Sequence, residues 1–156
     1  PQDTAVQRMA LTFRDTATVV KELGATPVFC TIPPSCLEVW NRTRLSQKKT
    51  SLLSHYLDYP IMQESLLATT IEINHHITQI NHENSVHTPF LADTIVKKPG
   101  KDKKHRAHYS RLSDGVHPSN DTKIMWANKL MRAIVKNRPD RYYIADSDPE
   151  SDEDAD

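Results

Sequence analysis

The chain has 156 residues, balances 20 Lys and Arg against 20 Asp and Glu, and is 37% apolar, which fits a single globular domain. No apolar run approaches the ~20 residues of a membrane-spanning helix, no signal-peptide pattern stands at the given start, and two cysteines six apart argue against a disulfide framework and for a reducing, intracellular compartment. The neutral charge is uneven: residues 146–156 hold seven acids and no base, so the remaining 13 acids against 20 bases leave a body of +7 with an acidic tail.

In chain order, Asp3 or Thr4 caps a first predicted helix that runs to about Leu23. Val6, Met9, Ala10, Phe13, Ala17 and Val20 recur on it at three- and four-residue spacing. Gly24 ends that helix. Thr26–Ile32 is short, apolar and β-branched, the pattern of a buried parallel strand, and Pro33-Pro34 stops it because proline cannot continue a ladder. Residues 35–58 form a long connection with Trp40, a basic run from Arg42 to Lys49, and a short helix around Leu52, Leu53, Tyr56 and Leu57.

The periodicity then predicts a long helix from about Tyr59 to Asn84, burying Leu66, Leu67, Thr70, Ile73, Asn74, Ile77 and Ile80. Its His75, His76 and His82 fit a polar face better than a metal site. Adjacent histidines point ~100° apart on a helix, and no Cys or carboxylate stands at zinc-site spacing. Val86–Leu91 is a second, shorter predicted strand, and Asp93–Arg106 a lysine-rich loop without interleaved aromatics for base stacking. A last helix spans about Pro118 to Asn137, with Ile124, Ala127, Leu130, Met131, Ile134 and Val135 expected to be buried. From about Asp146 the chain is too acidic and too poor in apolar residues to fold.

The chemistry concentrates in Arg111-Leu112-Ser113-Asp114-Gly115-Val116-His117-Pro118-Ser119. Asp114 and His117 stand three apart around a glycine that permits a tight turn, just before a helix. A histidine oriented by an acid is the base half of a nucleophilic triad. Taken alone, the same residues also fit a turn, a helix cap and a solvated histidine.

Asp-x-x-His-Pro before a helix resembles the last motif block of the SGNH (GDSL-like) hydrolases, and Gly24–Pro34 is similar to their late central strand and the proline-rich loop after it. The resemblance covers roughly residues 5–137. It implies an α/β fold, a three-layer, doubly wound parallel sheet of flavodoxin-like type, incomplete in this chain. Residues 1–140 would be the C-terminal part of the hydrolase domain and 141–156 a disordered acidic tail. It implies further that His117 and Asp114 are catalytic and act on a small-molecule, lipid or carbohydrate ester, with no cofactor and no metal. The family's Gly-Asp-Ser nucleophile block and Gly-x-Asn block are not in the sequence. One expectation is therefore a missing N-terminal half of the same domain that carries the serine. The alternative is a degenerate, non-catalytic binding module, such as occurs in mobile-element proteins, associated with nucleic acid through its basic body.

Overall fold

The computed structural model describes residues 4–46, 59–97 and 105–138. The short helix expected around Leu52–Leu57, the acidic tail and most of the lysine-rich loop lie outside these residues. Most of the described chain is helical, and its one β ladder is a two-stranded antiparallel pair. No helix among the described residues is long and apolar enough to cross a membrane.

Helix α1, Ala5–Glu22, begins where its sequence says it should. Thr4 accepts a hydrogen bond from the Gln7 amide while the Gln7 side chain returns to the Thr4 amide, a reciprocal cap. Gly24 closes the other end at a φ of +76°, a conformation that suits a residue without a Cβ. Val6 on α1 packs with Ile73 and Ile77, with Phe13, Phe29 and Ile32 around them. The Phe13 and Phe29 rings meet edge to face at 5.1 Å. Ile73 and Ile77 belong to α3, Tyr59–Glu83, a single helix of 25 residues that ends at Ser85 in the left-handed region.

The two predicted strands are extended but form no ladder. Thr26–Ile32 and Val86–Leu91 share one direct backbone bond, from the Thr31 amide to the Pro89 carbonyl at 3.1 Å. Side-chain carboxamides do the rest. Asn81 accepts from the Phe29 amide and donates to the Phe29 carbonyl, at 3.0 and 2.7 Å. Asn74 does the same for Ile32, at 2.6 and 2.7 Å. Each asparagine pairs with both polar groups of one residue as a neighbouring strand would. Among the described residues the peptide groups of Val28 and Cys30 form no hydrogen bond.

Phe29, Thr31 and Ile32 lie on the α3 side of the first segment, whereas Thr26, Val28 and Cys30 lie on the side of α4, Asn120–Lys136. The segment thus lies between α3 and α4, and no parallel sheet is present among the described residues.

Three features depart from the sequence reading. A helix α2, Leu37–Ser46, lies within the connection expected after Pro34. Gln63 of α3 anchors its start, accepting from the Leu37 amide at 2.8 Å and donating to the Ser35 carbonyl at 2.8 Å. Across the lysine-rich loop, Val96–Lys97 (β1) and Arg106–Ala107 (β2) pair antiparallel. The third departure is the largest. The face of α4 expected to be buried points outward, with Ile124 63% and Met131 58% exposed. The helix is held instead along a mostly polar line. Thr122 donates to the Arg111 carbonyl at 2.9 Å, the Trp126 indole to the Thr94 hydroxyl at 2.6 Å, and Asn137 clamps both backbone groups of His87. Periodicity located the apolar face correctly but carried no information on what that face would meet.

Candidate active site

The Asp114–His117 loop is built from its own bonds first. Leu112 and Pro118 bridge antiparallel, the Ser113 amide donates to the His117 carbonyl at 2.7 Å, and the Ser119 amide to the Arg111 carbonyl at 2.9 Å. Ser119 then caps α4 by accepting from the Thr122 amide, so Pro118 stands just ahead of the cap rather than inside the helix. Within the closed turn the Asp114 carboxylate accepts at one oxygen from the His117 and Val116 amides, at 2.8 and 3.0 Å. Its other oxygen lies 2.7 Å from His117 Nδ1.

Those bonds favour the charged acid. The His117 amide foremost, then the His117 ring, hold the Asp114 carboxyl down to about 2, with the Val116 amide adding to them against the opposing effect of desolvation. An ionised Asp114 fixes the neutral imidazole with its proton on Nδ1. Nε2 is left with its lone pair, the form a general base requires. The carboxylate side chain is 23% exposed and the imidazole 66%, so the acid is sheltered and the base is presented.

Gly115 joins this turn to α2. Its carbonyl accepts from the Cys36 amide at 2.6 Å, satisfying a donor at the start of that helix. It sits at a φ of +88°, and a Cβ there would lie 2.5 Å from the Cys36 carbonyl oxygen and 2.7 Å from the Trp40 amide. Only glycine lets the loop approach this closely. The approach brings the Trp40 ring to 6.2 Å from the His117 ring, tilted by 55°, and Arg44 lies over the indole at 5.2 Å. Trp40 therefore forms a wall beside the imidazole, and it also anchors α2. The sequence alone could not supply the contact of Trp40 with His117, because the two are far apart in the chain.

Among the described residues no Ser, Thr or Cys side chain is hydrogen-bonded to the His117 ring. Burial pushes the Cys30 thiol up, away from a thiolate nucleophile. The rings of His75 and His76 lie 6.3 Å apart, and no three His, Cys, Asp or Glu side chains among the described residues come together as a metal site. No known protein family, curated protein or solved structure matches the chain.

Proposed function

We propose that this chain contributes the acid–base half of an SGNH-type serine esterase, with Asp114 and His117 acting on a serine supplied from outside the described residues. The scaffold would be one part of a doubly wound parallel α/β sheet in three layers, and the substrate an ester of a small molecule, lipid or sugar. The observation that carries this reading is the 2.7 Å contact between Asp114 Oδ2 and His117 Nδ1, made by a carboxylate whose other oxygen is held by two amides and by an imidazole that is open to a partner. In the reaction, Nε2 of His117 takes the serine proton as the hydroxyl attacks the ester carbonyl, then returns a proton to the departing alcohol. Asp114 holds the tautomer and stabilises the imidazolium between the two steps.

Support for the scaffold comes from the first segment, which lies between α3 and α4, and from its backbone bond to the segment that follows α3. The test is hydrolysis of a short acyl ester by this chain alone and by a longer form that includes a Gly-Asp-Ser block. The chain alone is expected to be inactive. In the longer form His117→Ala should remove most activity, and Asp114→Asn should lower kcat by about 10³–10⁴-fold through the wrong tautomer. Near wild-type turnover by folded Asp114→Asn rules out the assigned role. Turnover by the chain alone that depends on His117 would mean that the nucleophile lies within it.

A further inference from the structure

On one flank, α4 and the Val86–Leu91 segment enclose a second groove, separate from the Asp114–His117 loop. Its floor is Pro89 beneath the buried Ala133. One wall carries Lys129, Arg132 and Lys136 at helical spacing i, i+3 and i+7, and the other carries His87 and Phe90. Among the described residues none of the three cations is engaged in an ion pair. Asp121 is the only acid on α4, and it sits two turns before Lys129. Phe90 is 42% exposed at the mouth of the groove, although an aromatic ring gains most from burial. The walls are fixed to each other, because the Asn137 carboxamide accepts from the His87 amide at 2.7 Å and donates to its carbonyl at 3.0 Å. The arrangement is a row of positive charge without an ion pair among the described residues, beside an unstacked ring.

We infer that this groove binds single-stranded nucleic acid, with Lys129, Arg132 and Lys136 on successive phosphates and Phe90 stacked on a base. Seven helical residues separate Lys129 from Lys136, a rise of about 10 Å, enough to follow more than one phosphate of an extended strand. A row of cations tracking the backbone with an aromatic platform for the bases is the arrangement single strands need, and it tolerates any base because each has a π-face. A duplex hides those faces and would leave Phe90 without a partner. The site owes nothing to the proposed hydrolysis. The sequence did not reveal it, because the aromatic and the cations come together only when α4 lies across the earlier segment.

The test is binding of a fluorescently labelled mixed-sequence single strand of about 12 nucleotides to the full chain across a salt series. With three or four phosphates neutralised, log K should fall with log salt at a slope of about −2 to −3. Arg132→Glu with Lys136→Glu should weaken binding at least tenfold at low salt and flatten that slope by about 1.4. Phe90→Ala should weaken binding about tenfold with little change in slope. All three positions have exposed side chains, and thermal melts would establish that the variants fold. Arg8→Glu with Lys21→Glu on α1 should leave affinity within about threefold, since remote exposed charges are screened. Four results overturn the inference. These are no binding at low salt, an equal loss from the α1 pair, a duplex of the same sequence bound more tightly, or heparin or phosphatidylserine vesicles bound as tightly with Phe90→Ala silent.

Discussion

The loop from Arg111 to Ser119 and the segment from Thr26 to Ile32 are both irregular backbone, and they solve the same problem in opposite ways. The loop is bonded largely within itself. Its amides and carbonyls bond across the turn, its carboxylate takes two of its own amides, and it gives a single carbonyl to α2. The extended segment depends on others, with Phe29 and Ile32 paired to asparagines of α3 and Val28 and Cys30 left without hydrogen bonds among the described residues. Beside it the outward flank of α4 exposes Ile124, Met131, Ile134 and Val135. The proposed half-site is thus held largely by its own bonds, whereas the extended segment keeps unpaired peptide groups among the described residues.

The largest expected effect breaks the dependent region. Asn81 is fully buried, and its carboxamide serves Phe29 twice and Thr88 once. Asn81→Ala should cost about 3–5 kcal/mol by stranding the Phe29 groups, whereas Asn137→Ala, whose partner His87 is exposed, should cost about 1 kcal/mol. Equal costs in chemical denaturation would show that burial does not set the value of these clamps.

Next in size is a break in the self-contained loop. Gly115→Ala combines an unfavourable φ with a Cβ against two backbone atoms, and should cost about 2–4 kcal/mol. Near-UV circular dichroism of Trp40 should change at the same time, since α2 must move away. An unaltered signal with wild-type stability would refute the close approach of loop and helix.

A smaller effect sharpens the comparison through pH. The folded Asp114 carboxyl lies at about 2 against an ordinary 3.8. A depressed acid stabilises the fold fully above the ordinary value, and that contribution fades as pH falls from about 4 through 2. The Val116 and His117 amide resonances should therefore titrate with a midpoint near 2, and Asp114→Asn should abolish the transition. A midpoint near 4 would mean that the carboxylate does not hold these amides. Smallest of all is Ile134→Lys. With the side chain 52% exposed, its effect on the stability of this chain should stay within about 0.5 kcal/mol. A loss of 2 kcal/mol or more in urea would show that the flank is covered.

Much of this was legible from local chemistry. Thr4, Gly24 and Ser119 mark helix ends because caps are read from a few adjacent residues, and Asp114 with His117 announces its own pairing for the same reason. What the sequence concealed depends on distant partners. The carboxamides of Asn74 and Asn81 pair with the extended segment as a strand would; Asn74 reads in sequence as one more member of the buried helix face, and nothing there singles out Asn81. The outward turn of α4 follows from Thr122, Trp126 and Asn137 finding polar partners elsewhere, which no periodicity encodes. The apposition of Trp40 and His117 rests on Gly115, whose role appears only when α2 is in place.

The two asparagines of α3 also act as a ruler. They stand seven residues apart, a rise of about 10 Å that returns to within ~20° of the same helix face. Their targets Ile32 and Phe29 stand three apart, and three extended residues also cover about 10 Å, read in the reverse direction along the helix. Two scales of different pitch therefore coincide at two marks, as on a vernier. Sliding the segment by one residue, about 3.3 Å, misaligns both marks at once. The gauge is cut into one continuous helix whose own bonds are local, so the segment can be set to its position before any neighbouring strand arrives to confirm it.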